Sequence, residues 1–239
     1  MLASGTIGPG DRIMKSTQTE GKSMKKACLV FLCVLMLAAF VPRQAAAEVT
    51  LDLGIKGGIS FANTMEVWEG DEYPTTSPLV SPVFGAFVSI NLSKMFTFQP
   101  EVYLVTQGGI WEEDDVEGEL KWKHAAKYIH VPLLAKIHLV QEGKMIPILF
   151  AGPAVDFLVS ANEKFWIDGV LEYDESFKEY LKSLHFGAVF GGGVEFMLDK
   201  LMIILEVRYN LGLVNTIKDP EPGLSYKYRT LMVLAGVGF

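Results

Sequence analysis

"LDLGIKGGISF", residues Leu51–Phe61, decides the fold. Its odd positions are Leu51, Leu53, Ile55, Gly57, Ile59 and Phe61, and its even positions are Asp52, Gly54, Lys56, Gly58 and Ser60. Successive side chains of a strand point to opposite faces, so this reads as a strand with one oily face and one polar, charged face. The pattern recurs. Val80–Leu92 sets Phe84, Ala86, Val88, Ile90 and Leu92 against Gly85, Ser89 and Asn91, with Phe87 as the exception. Phe96–Gly109 sets Phe96, Phe98, Val102 and Leu104 against Thr97, Gln99, Glu101, Tyr103 and Gln107. Tyr128–Leu139 sets Ile129, Val131, Leu133, Ala135, Ile137 and Leu139 against Tyr128, His130, Lys136 and His138. Leu201–Thr216 and Tyr226–Phe239 repeat it, Ile146–Ser160 does so more weakly, and Leu184–Met197 lies between. That makes eight strands.

The charged face carries Lys56, Glu101, Lys136, Asp156, Glu195, Glu206 and Arg208. Charges at this density must meet water or one another. The opposite face is apolar on every strand, and no soluble single-layer sheet can leave that much oil exposed. A lipocalin-like soluble barrel, apolar inside, therefore fails on the polarity of its faces. A closed barrel in lipid satisfies both faces and leaves no open edge. Strands of about 11–16 residues reach across a bilayer at a tilt. The expected fold is all-β: an eight-stranded antiparallel up-and-down transmembrane β-barrel. Aromatics near the long-loop ends (Trp111, Trp122, Tyr128, Trp166, Tyr209, Tyr226 and Tyr228) read as interface anchors.

Upstream, Met24 opens "MKKACLVFLCVLMLAAFVPRQAAAEV". Lys25 and Lys26 precede an apolar run from Cys28 to Val41, and Ala45-Ala46-Ala47 forms a cleavage pattern, so 24–47 read as a secretory signal peptide. The run is too short for a bilayer-spanning helix. Residues 1–23 read as an upstream extension. The expected mature domain is 48–239. Both cysteines, Cys28 and Cys33, lie in the leader, which leaves no disulfide. Residues 1–47 hold six of the 21 Lys/Arg and two of the 28 Asp/Glu, so 15 basic residues stand against 26 acidic beyond them. That balance disfavours a nucleic-acid partner.

Connections alternate in length. The turns Ser93–Met95, Val140–Met145 and Asp199–Lys200 are short; 64–79, 111–124, 161–183 and 217–225 are long and mostly polar. Short turns and both termini are expected on the periplasmic side, with the long loops outside. In the third loop Phe177, Tyr180, Leu181 and Leu184 have helical spacing, so a short helix or packed filler is expected there.

Several stretches resemble the PorT-like outer-membrane β-barrel family of Bacteroidetes-type Gram-negative bacteria. They are Gly54–Gly58, Phe96–Tyr103, Tyr128–Lys136, Phe150–Pro153, Gly191–Glu195 and Glu206–Leu213. The resemblance runs from about Val49 to Phe239. It implies an eight-stranded barrel in the cell outer membrane, reached by export to the periplasm. The founding member's link to secretion does not transfer by itself.

An eight-stranded barrel is just wide enough for side chains to fill it. Lys56, Glu101, Lys136, Asp156, Glu195, Glu206 and Arg208 are therefore expected to form a lumen ion-pair network. With Asp52 included, its acids exceed its bases by two, which invites a shared proton or His130 and His138. The expected role is structural or accessory, secretion- or envelope-related; the alternative is a narrow channel or small-molecule transporter. "HFGAVFGGGVEFMLDK" (His185–Lys200) lacks the Lys-Ser/Thr of a phosphate loop and continues as a strand. Pairing across Asp199-Lys200 puts Gly193 opposite Glu206, Gly191 opposite Arg208 and Gly187 opposite Gly212, which reads as clearance inside a packed lumen.

No catalytic residue, cofactor site or metal site is expected. There is no Gly-x-Ser-x-Gly elbow, and His124, His130, His138 and His185 match no ligand spacing. The acids Asp114, Asp115, Glu117 and Glu119 are calcium-type ligands without an EF-hand ladder, so they read as a solvated loop. Expected partners are outer-membrane lipid and lipopolysaccharide, the barrel-assembly machinery during insertion, and an envelope protein.

Overall fold

The computed structural model describes residues 49–239 except 69, 70, 76, 116, 117 and 200. The expected leader and upstream extension lie outside the described residues, as do Glu117 and the side chains of Asp114 and Asp115.

Ten antiparallel strands follow one another among the described residues: β1 (Thr50–Trp68), β2 (Asp71–Pro74), β3 (Leu79–Asn91), β4 (Phe96–Asp115), β5 (Gly118–His138), β6 (Met145–Ile167), β7 (Val170–Ser176), β8 (Leu184–Leu198), β9 (Leu201–Gly212) and β10 (Leu224–Gly238). Eight of them form the ring, in the order β1, β3, β4, β5, β6, β8, β9, β10, and β10 pairs back on β1. At the seam Leu53 and Phe239 exchange backbone hydrogen bonds of 2.9 and 3.0 Å. The other two strands, β2 on β1 and β7 on β6, add to the hairpins beyond the ring.

The ring is uneven, from 12 residues in β9 to 23 in β6. The excess lies at the end expected to be loops. Residues 111–124 are the tip of a continuous β4–β5 hairpin with Trp111 opposite Trp122. Residues 161–183 begin as β6, turn at Asp168-Gly169 and return as β7. Both turn residues have positive φ, 49° and 76°, which Asp-Gly tolerates in a two-residue hairpin turn. The expected short helix shrinks to one 3₁₀ turn at Lys178–Tyr180.

Neighbours on β1 show the sidedness: Ile55 is 61% exposed and Lys56 3%. Exposed Leu51, Phe84, Leu149, Leu205 and Val233 continue the oily face around the ring. The lumen is not uniformly polar. Phe87, the exception to alternation on β3, is buried inside with Met202 and Ile204. On β6 the inward positions Ile148, Phe150, Ala154 and Leu158 are apolar and Asp156 is the one charge among them, so both faces of that strand are largely apolar and its period blurs. Tyr128 and Tyr228, expected as interface anchors, are buried inward and meet edge-on at 5.9 Å.

Candidate functional site

The expected lumen network divides into three groups. At the waist, Lys56 on β1 donates to Glu101 Oε1 on β4 and to Glu206 Oε2 on β9, both at 2.8 Å. Arg208 on β9 donates to Glu101 Oε2 at 2.5 Å and Oε1 at 3.2 Å, and to Glu206 Oε1. Two cations and two carboxylates cancel. All four side chains are at most 1% exposed. Gln99 adds a 2.6 Å bond to Glu101 and is itself held by Ser89 at 2.8 Å. Rings close the layer: Lys56 lies 4.8 Å from the Phe87 centroid, and Arg208 5.2 and 5.1 Å from those of Tyr103 and Phe150. Cations over aromatic faces gain further attraction when desolvated. Strands β4 and β9 are four places apart in either direction around the ring, so the Arg208–Glu101 pair joins opposite walls.

Nearer the short turns, Lys136 donates to Glu195 at 2.6 Å, and His138 Nε2 lies 3.0 Å from the other Glu195 oxygen. Nearer the hairpins, His130 Nδ1 lies 2.6 Å from Asp156. Asn210 Nδ2, a donor, approaches His130 Nε2 at 3.4 Å, which leaves Nδ1 as the proton-bearing nitrogen toward Asp156. Of the two surplus acids, Asp156 is thus partnered by His130 and Asp52 accepts from Asn91 at 2.7 Å, while His138 shares Glu195 with Lys136.

The β8–β9 register is the one read from the sequence: Gly187 faces Gly212, Gly191 faces Arg208 and Gly193 faces Glu206. What fills the clearance differs. A Cβ at either glycine would meet a backbone oxygen of β9, Leu205 O at Gly193 and Val207 O at Gly191; the side chain next in the way is Glu206, whose Cβ lies at 2.8 Å, for Gly193 and the tip of the Phe150 ring, at 2.7 Å, for Gly191. The guest at Gly191 is an aromatic ring rather than an arginine. Gly187 is limited by Leu211 O at 2.9 Å.

Open space is discontinuous. At the short-turn end is a vestibule of about 530 Å³, lined by Asp52, Asn91, Lys136, His138, Glu195 and Met202 among others. Beyond the waist, a gap of about 10 Å³ remains beside His130, Asp156 and Asn210, about the room of a single water. Past it, buried Leu181 bridges to Ile217 and packs among Tyr128, Tyr228 and Met232. The segment around the 3₁₀ turn therefore serves as a cover. No cluster of three metal-ligating side chains occurs among the described residues.

The hairpins beyond the ring carry a cross-strand row, Trp111, Trp122, Phe165 and Tyr173. Sequence reading missed β7; the Asp168-Gly169 pair was the available signal. Tyr173 donates to Glu163 at 2.6 Å, and this bond to a carboxylate pushes its phenol up to about 12. The bond is expected to persist below the ordinary tyrosine range and to be lost as pH rises through about 12. Absorbance titration of the protein minus that of Tyr173→Phe reads this group. Glu163→Gln should return its midpoint toward the ordinary tyrosine value of about 10.

The chain matches the outer membrane protein beta-barrel domain family over residues 44–218. Among curated proteins, none matches the chain. Solved structures of similar fold include Neisserial surface protein A, at 10% identity, TM-score 0.42, covering 79% of this chain and 95% of that one. OprG of Pseudomonas aeruginosa is 13% identical, TM-score 0.45, over 81% of this chain and 98% of that one. The N-terminal barrel of Pseudomonas aeruginosa OprF is 14% identical, TM-score 0.40, over 80% and 98%.

Proposed function

Because the chain belongs to the outer membrane protein beta-barrel domain family, we propose that this outer-membrane barrel is a non-conducting structural or accessory protein, presenting long hairpins at the cell surface. The observation that carries this reading is the waist: four charged side chains, two cations paired with two carboxylates and almost wholly buried, occupy the lumen from wall to wall. Moving an ion past them would require breaking pairs that burial has already stripped of water. The cover at Leu181 and the small gap below it support the same reading. The waist carboxylates Glu101 and Glu206 are walled in by their own ion-pair partners. Within the family we place the chain among PorT-like barrels, on the stretches Phe96–Tyr103, Tyr128–Lys136 and Glu206–Leu213. Its partners in this reading are lipid and lipopolysaccharide around the ring, the barrel-assembly machinery during insertion, and an envelope protein at the hairpins.

Planar bilayers test the reading. Folded protein is expected to give no unitary openings. A variant with Lys56, Glu101, Glu206 and Arg208 all replaced by Ala, if it inserts, should open a conductive path. Regular openings of the native protein would establish the channel instead.

A further inference from the structure

The outward face of β5 changes character where the strand leaves the oily belt. Ala126, Tyr128 and His130 are buried, so the alternate positions face out: Ile137, Ala135, Leu133, Val131 and Ile129, then Lys127, Lys123 and Lys121. On β6 one extra residue, Val159, is accommodated at this level, because Tyr128 faces Leu158 while Lys127 faces Ser160. A bulge of one residue reverses the sidedness of the strand beyond it. Lys164 therefore emerges on the same outward face, directly opposite Lys123. Like charges opposed across an antiparallel pair destabilise it.

Lys121 is paired with Glu112 at 2.5 Å and Lys164 with Asp174 at 2.8 Å. Lys123 and Lys127 have no carboxylate partner among the described residues. Lys123 stands between Ile110 and Lys164, and Lys127 between Thr106 and Ser160. Of the other carboxylates here, Glu112 and Glu119 lie farther along the hairpin than either lysine, Asp174, in the same row as Lys123 and Lys164, is taken up by Lys164, and Glu163 is taken up by His124 on the opposite face. An acidic chain has thus gathered cations on its outer wall at the edge of the oily belt, with part of that charge unneutralised.

We propose that Lys123, Lys127 and Lys164 form a docking surface for the phosphorylated diglucosamine headgroup of lipopolysaccharide, with its acyl chains lying along Ile129 and Val131. The charge complementarity is direct: a headgroup phosphate supplies the anion that relieves the Lys123–Lys164 opposition and gives Lys127 a partner. The proposal rests on the reading that the hairpins face outward.

The test uses the folded full-length protein in phosphatidylcholine nanodiscs, with lipid A as the probe and dephosphorylated lipid A and inorganic phosphate as comparators. The variant is Lys123→Gln/Lys127→Gln/Lys164→Gln. Each lysine near a charged lipid surface is expected to contribute about five-fold, so the variant should bind lipid A about 100-fold more weakly. The Lys→Arg triple variant should retain binding, dephosphorylated lipid A should bind weakly to both, and inorganic phosphate should compete poorly. Unchanged lipid A binding by the Gln variant, or equal binding of the dephosphorylated form, would overturn the docking surface while leaving the barrel reading intact. Orientation is checked separately. Lys123→Cys in intact cells should react with an impermeant maleimide; labelling only from the periplasm would overturn both readings.

Discussion

Glu101→Gln is expected to cost the folded barrel about 3–5 kcal/mol, the usual loss when one member of a buried ion pair is removed. Glu101 accepts from Lys56, Arg208 and Gln99 and has no exposed side-chain surface. The glutamine fills the same volume, so the loss measures charge rather than packing. Two cations would then share Glu206 alone, with no water to screen them. Adding Lys56→Met should recover part of the loss, because one cation then faces one carboxylate. The double variant should fall short of the summed single losses by about 0.5–3 kcal/mol. Urea unfolding in lipid vesicles, followed by tryptophan fluorescence, gives all the values. A loss below about 0.5 kcal/mol, the range of surface substitutions, would mean that the waist does not depend on its charges.

The second large effect is expected at Gly191. Gly191→Leu should prevent assembly of the ring, seen as loss of the compact, heat-modifiable species on gels. Overpacking alone costs about 1–3 kcal/mol, but here even the first carbon of the new side chain collides with Val207 O, a backbone atom of the paired strand, and with Phe150. Trimming Phe150 to Ala relieves only the second collision, so it should rescue little. Gly57→Leu is the control. That residue lies on the lipid-facing side of β1, where a Cβ finds only Val83 O at 3.6 Å, and assembly should survive. Equal behaviour of the two variants would remove clearance as the reason for glycine at position 191.

Sidedness was legible wherever lipid lay on one side and polar side chains on the other. Ile55 beside Lys56, or Val102 beside Glu101, can only be arranged one way. Legibility failed for two physical reasons. On β6 the inward residues Ile148, Phe150 and Ala154 are as apolar as the outward ones, so no period marks the face. Beyond the membrane both faces of a hairpin are wet, and 111–124 looks like a loop although its register runs unbroken from the ring. The charged residues of the lumen could be named from the sequence, because a charge cannot face lipid. Their grouping could not. Arg208 and Glu101 are 107 residues apart, and which cation reaches which carboxylate depends on the stagger of the whole ring.

The waist also has a mechanical consequence. A thin cylinder under uneven side pressure flattens into an ellipse long before its wall tears. The Arg208–Glu101 contact spans one diameter, and Lys56 braces it from the strand midway between β4 and β9. Flattening along that diameter would compress the buried charges, and widening it would pull them apart in a medium that cannot solvate them. The wall itself is one hydrogen-bonded sheet thick. Its cross-section is therefore held from within, as a spoke holds a rim.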